Sequence, residues 1–148
     1  MKFRYSLQSV LNFKKELEDS ARIRLKEAIA ALEKRNEEMQ TQVQQRNQWL
    51  AKWQEESRQG IDGREYFLYR IFNEHWRDKI KIIEREKKSA AQKIELEKGK
   101  LKTIRQEREV LERLKSKKWK RFWEELNKKE QAINDELVLF KYNPLLKG

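Results

Sequence analysis

Punctuation is nearly absent from this chain. Four glycines and one proline serve 148 residues, whereas a β-sandwich or barrel needs a turn signal roughly every 10 residues. Stretches this long without a breaker leave long helices as the available structure. Composition then decides how such helices are used. The chain is 41% charged and 37% hydrophobic, with a mean hydropathy of −1.11, too polar to enclose a globular core of ordinary composition. Disorder is disfavoured from the other side, because five Trp, six Phe and many Leu and Ile exceed what disordered segments carry. Helices that bury one stripe and solvate the rest satisfy both facts.

Several chemistries drop out. There is no Cys to form a disulfide or a thiolate, and the single His, His75, leaves no cluster to hold a metal. The longest apolar run, Ala28 to Leu32, falls far short of the ~20 residues that span a bilayer. The N-terminus also lacks the apolar region of a signal peptide. The sequence therefore reads as cytoplasmic, without membrane insertion. Gly60 and Gly63 are not followed by the Lys-Ser/Thr of a phosphate-cradling loop, and the adjacent pair Asp135 and Glu136 diverges on a helix. No catalytic residue, cofactor, metal ligand or small-molecule substrate is expected.

The first helical pattern follows Ser6, a suitable N-cap, and runs to about Ser57. Its apolar seam comprises Leu7, Leu11, Ala21, Leu25, Ala28, Leu32, Met39, Trp49 and Trp53, at alternating spacings of three and four. Lys14, Glu18, Arg35, Gln42 and Arg46 interrupt it, so the pairing should be looser around 35–46 than around 21–32. Gly60 and Gly63 then mark a turn, with Asp62 and Glu65 at capping-box spacing. The second stripe is Tyr69, Phe72, Trp76, Ile80, Ile83, Ala90, Ile94, Leu101, Ile104 and Leu111, with Lys87, Glu97 and Arg108 as polar exceptions. It drifts onward to Leu114, Phe122, Leu126, Ile133, Leu137 and Phe140 before Asn143-Pro144.

Two long helices joined by a short turn fold back antiparallel. If the turn centres near 60–61, partner numbers sum to about 121, and the two seams obey this: Trp49 with Phe72, Trp53 with Tyr69, Ala28 with Ile94, Ala21 with Leu101, Leu11 with Leu111. The expected fold is all-α, a long two-helix antiparallel coiled-coil hairpin with the second helix overhanging the first, about 75–80 Å long at ~1.5 Å per residue. It forms a single coiled-coil domain over 1–148, with helix 1 at about 6–57, a turn at 58–63, helix 2 at 64–141 and a short tail at 142–148. The same arithmetic sets residue 3 against residue 118 and leaves Trp119, Phe122, Trp123 and the residues after them without an intramolecular partner.

Net charge is +11, with an excess of two cations in residues 1–57 and nine in 58–148; in 85–121, 15 basic residues face six acidic ones. Such a surplus attracts phosphates by counterion release, which raises a nucleic-acid-binding reading, and the overhang raises self-association. Acids interspersed at helical pairing distance and the lack of a nucleic-acid motif favour a solvated basic face instead.

Three groups of residues carry a resemblance: the opening Phe3-Arg4-Tyr5-Ser6-Leu7-Gln8-Ser9-Val10-Leu11; the tip Gly60-Ile61-Asp62 with Arg64, Tyr66, Tyr69 and Phe72; and the ending Glu130-Gln131 with Asp135-Glu136. In this order, and with this hairpin register, they resemble the FliJ family of flagellar type III export proteins over nearly the whole chain. The resemblance implies a stalk-like component of bacterial flagellum biogenesis and motility. Such a stalk sits in the pore of the hexameric export ATPase (FliI-like), promotes its assembly and activity, touches the cytoplasmic domain of the export gate protein (FlhA-like) and binds export chaperones. It also implies a peripheral position at the inner face of the cell membrane, at the flagellar base. Carried over to this sequence, ATPase contacts fall near Phe3, Arg4 and Leu7 and on Trp119, Arg121, Phe122, Trp123 and Leu126, with ordinary seam packing the stronger reading for Leu7. Gate contacts fall on Trp49, Phe72 and Trp76. Gln42 and Gln45 are polar where the family presents apolar or aromatic residues, and Lys79 and Ile83 also depart from it.

Overall fold

A computed structural model describes residues 2–142. The described residues form two helices, α1 (Gln8–Arg58) and α2 (Gly63–Tyr142), packed against each other as an all-α hairpin. The sequence reading gives about 6–57 and 64–141 for the same two helices. The tail expected beyond Tyr142 lies outside the described residues. The chain divides into two compact units, taken separately here: Asp19–Lys102, and the described remainder on either side of it.

The Asp19–Lys102 unit contains the turn. Gly60 adopts φ +94°, a conformation that costs a glycine little and a residue with a Cβ much more. Asp62 then caps α2, its Oδ1 accepting the Glu65 amide at 2.8 Å, which is the first half of the capping box the spacing predicts. In the seam, Ala21 and Ala28 are buried on α1, and Ile83, Ile94 and Leu101 on α2. Small residues on one helix thus accommodate branched residues on the other. Ion pairs Arg24–Glu97 at 3.7 Å and Arg35–Glu86 at 3.3 Å cross between helices, and both sums are 121, as the seams require. The contrast along α1 is also present. Ala21 and Ala28 are buried, while Arg35, Met39, Gln42 and Arg46 are half-buried. Gln42 Oε1 and Arg46 Nε are buried with no hydrogen-bond partner.

In the other unit, Leu11 is 1% exposed and is its best-enclosed large side chain. The polar interruptions of the two stripes meet here. Glu18, 3% exposed, accepts from Arg105 Nε at 3.5 Å and from Arg108 Nε, and Arg108 reaches on to Glu112 at 2.7 Å. The hydrogen bond that Arg108 donates to Glu18, followed by its contacts with Glu112, holds the guanidinium above the usual arginine value. Lys14 pairs with Glu107, and Lys15 with Glu112 at 4.0 Å. A carboxylate withdrawn from water is tolerable because two guanidiniums share it.

Two expectations fail in this unit, for one reason. Ser6 does not cap α1. The helix starts at Gln8, with Leu7 in the cap position, where its carbonyl accepts from Leu11 N–H at 2.9 Å. Residues 2–5 are irregular and 6–7 form a turn, pinned by Tyr5, which is 7% exposed and donates its hydroxyl to the Leu111 carbonyl at 2.9 Å. An extended chain advances ~3.3 Å per residue against ~1.5 Å in a helix, so Phe3 reaches past position 118 and meets Phe122, ring centroids 5.6 Å apart. Phe122 therefore has an intramolecular partner, contrary to the sequence expectation.

Candidate functional site

Around the turn, aromatic residues outnumber what a two-helix seam can enclose. Tyr69 sits between two tryptophans, with centroids 5.3 Å from Trp49 in a stacked pair and 3.9 Å from Trp53. Phe72 meets Trp49 at 6.0 Å and remains 48% exposed. Trp76 is half-buried, and its ring carries the Lys79 ammonium at 5.7 Å and the exposed His75 at its edge. Trp49 and Trp76 line one open cleft of about 610 Å³ with Gln45, Gln48, Ala51 and Lys52. The three expected gate residues thus come together, Phe72 through Trp49 and Trp76 across the cleft. Gln45 is a wall of that cleft, which makes its upper face polar.

Sequence reading missed part of this surface. Tyr66, Phe67, Leu68 and Ile71 are all exposed. The run Tyr66–Tyr69 is four consecutive apolar residues on a helix, whereas a seam draws on only every third or fourth. That excess is the signal that could have found them.

On the C-terminal part of α2, geometry separates two rows of residues. The row facing the rest of its unit is Ile104, Arg108, Leu111, Lys115, Lys118 and Phe122, at spacings of four and three. Arg108 holds Glu18, Lys118 Nζ lies 5.8 Å over the Tyr5 ring, and Phe122 meets Phe3. Continued onward, this row becomes Glu125, Lys129, Ala132 and Glu136, and needs no apolar cover. The apolar residues beyond it are Trp119, Trp123, Leu126, Ile133, Leu137 and Phe140. At about 100° per residue, Trp119 and Trp123 lie about 60° and 100° around the helix from Phe122, while Leu126, Ile133 and Phe140 return to within about 40° of it. The apolar row thus leaves the inward face at the two tryptophans and runs back along it beyond them, and Trp119, Trp123, Ile133, Leu137 and Phe140 are 42–60% exposed.

The expected ATPase residues divide accordingly. Trp119 and Trp123 make an edge-on pair at 5.9 Å and stay open to solvent, with Arg121 exposed on the opposite side of the helix and Leu126 half-buried. Phe3 and Phe122 are half-buried against each other, Leu7 is half-buried at the start of α1, and Arg4 is exposed. Phe3, Leu7 and Phe122 hold the unit together, while Arg4, Trp119, Arg121, Trp123 and Leu126 are presented outward.

Nothing in either surface assembles a reacting group. Among the described residues no three His, Cys, Asp or Glu converge on a metal-sized space, and no helix is long and apolar enough to cross a membrane. What exposed aromatics on a charged helix do is bind. A family model described as Flagellar FliJ protein matches residues 2–144. No curated protein and no solved structure matches the chain.

Proposed function

The chain belongs to the flagellar FliJ family and so is a component of the flagellar type III export apparatus, and from that premise we propose that it serves the apparatus as a non-catalytic docking stalk. In this reading the apolar row of α2 engages the hexameric export ATPase through Trp119, Trp123 and Leu126, with Arg121 reaching the partner from the other side of the helix and Arg4 from beside Phe3. Phe3, Leu7 and Phe122 hold that end in shape and touch the ATPase at most through their open edges. The observation that carries the reading is the exposure of Trp119, Trp123, Ile133, Leu137 and Phe140 along α2. Exposed apolar surface of this extent suits contact with a different chain. The protein contributes assembly and stimulation of the partner's ATPase, and no catalysis of its own.

The aromatic cleft of Trp49 and Trp76, with Phe72 alongside, is the proposed contact for the gate protein's cytoplasmic domain. Export chaperones are further proposed partners, held by exposed helix faces rather than by a pocket. These contacts would keep the protein in the cytoplasm, peripheral at the membrane's inner face. Co-purification decides the matter: the tagged full chain should retain both the export ATPase and the gate domain. Retention of neither, with the chain eluting as a dimer, would assign the apolar row to a second copy and overturn the proposal.

A further inference from the structure

The cations of the second unit fall into two groups. Those at 105–113 are spent internally: Arg105 and Arg108 on Glu18, Arg108 also on Glu112, and Arg113 on Glu109 at 3.7 Å. Beyond them the pattern changes abruptly. Lys115, Lys117, Lys118, Lys120 and Arg121 occupy five of seven positions, with no acid between Glu112 and Glu124. Lys2 and Arg4 flank Phe3, which sits on Phe122, and so bring two more cations to the same place. None of the seven forms an ion pair among the described residues. In their midst Trp119 is 52% exposed above a shallow hollow of about 550 Å³ lined by Lys115, Ser116, Trp119 and Lys120.

We propose that this end of the protein docks directly on an anionic phospholipid surface. Seven cations without an ion pair suit any polyanion, so the apolar row decides which. It runs from Trp119 and Trp123 through Leu126 to Phe140, and a nucleic acid would cover the cations and leave it in water. Lys115 and Lys120 flank Trp119 and line one hollow with it, while Lys117 and Arg121 lie on the far side of the helix. A bilayer covers the row and its flanks together, with the flanking ammonium groups reaching the headgroup phosphates, indoles at the polar–apolar boundary, and the aliphatic row against the acyl chains. Clusters of four to eight cations are enough to hold a protein on acidic lipid. The proposal stands on charge and exposure alone, independently of the family. Because it uses Trp119 and Trp123, lipid and ATPase occupy this end one at a time.

The test is flotation of the full chain with vesicles of phosphatidylcholine, with and without phosphatidylglycerol at about one third, in ~0.1 M salt. Binding should require phosphatidylglycerol, and Trp emission should shift to the blue on binding. Each Lys removed from the face that meets lipid should weaken partitioning about fivefold, so Lys115→Gln with Lys120→Gln should lose about 25-fold. Lys26→Gln with Lys34→Gln, the same change in net charge on α1, should lose far less. Trp119→Ala should keep much of the salt-sensitive binding and lose part of the blue shift. Free glycerol phosphate at millimolar concentration should not displace the protein if a surface is what it reads. Equal binding to both vesicle types would overturn the proposal, as would equal losses in the two lysine pairs. Tighter binding to a 30-nucleotide DNA than to acidic vesicles at the same salt would assign the patch to nucleic acid instead.

Discussion

Phe122 and Trp123 are adjacent in sequence and should behave as different kinds of residue. Phe122→Ala removes a half-buried ring that meets Phe3 at 5.6 Å with planes tilted by 52°. Full burial of a Phe is worth ~3–5 kcal/mol on truncation, so a half-buried one should cost about 1.5–2.5. Of that, roughly 0.5–1.5 kcal/mol is the ring pair itself. Trp123 is larger, but it is 42% exposed and touches only Trp119 and Phe122 of its own helix among ring contacts. Same-helix pairs contribute ~0.2–0.5 kcal/mol each, so Trp123→Ala should cost under ~1 kcal/mol despite removing more atoms. Urea denaturation followed by helical circular dichroism measures both, and a cycle with Phe3→Ala isolates the ring pair. ATPase stimulation should run the other way, with Trp123→Ala losing most of it and Phe122→Ala losing less. Trp123→Ala destabilising as much as Phe122→Ala would refute the outward placement of Trp123. A vanishing coupling between Phe3 and Phe122 would refute the extended N-terminal segment.

The hairpin register predicts that Ala28→Cys with Ile94→Cys, both buried in one seam, oxidises within one molecule at micromolar concentration; covalent dimers on a non-reducing gel would contradict it. Trp76→Ala should weaken gate-domain binding with a smaller shift in melting temperature than Trp49→Ala, because Trp49 alone is stacked on Tyr69; parallel losses in both variants would make the cleft purely structural. Glu18→Leu should destabilise by stranding Arg105 and Arg108, and Glu18→Leu with Arg108→Leu should recover most of the loss as an apolar layer. With Arg108 held above its ordinary value, the charge of that pair is present below arginine's unfolded pKa and is lost only at still higher pH. Melting curves at pH 7 and pH 11 should therefore show no loss from Arg108, whereas Arg108→Lys, with an ordinary value near ~10.4, should weaken at the upper pH.

Register was legible in advance because two stripes must agree along their whole length, and Arg24–Glu97, Arg35–Glu86 and Trp49–Phe72 keep the sum that the seams require. Glu18 and Arg108 read as separate flaws, since pairing across 90 positions leaves no mark on either helix's period. The Phe3–Tyr5 segment was misplaced because counting helical rise presumes a helix, and Tyr5's hydrogen bond to a main-chain carbonyl depends on nothing the sequence of α2 displays. The outward placement of Trp119 and Trp123 is visible only once Lys118 and Phe122 are known to face Tyr5 and Phe3. The cleft beside Trp76 was legible as residue types and not as a shape.

Four residues, Gln59 to Asp62, tether α1 to α2. A tether this short sets the local concentration of one helix beside the other at roughly millimolar or above. An exchanged pair of molecules, each lending α2 to the other's α1, would make the same seam contacts, so only the tether disfavours it. Gly60 at φ +94° is the residue that lets the chain reverse without strain. Replacing it with Ala, or lengthening the helix through it, would tip the balance toward open, exchanged chains as protein concentration rises. At high local concentration, a single residue without a side chain thus keeps each copy self-contained.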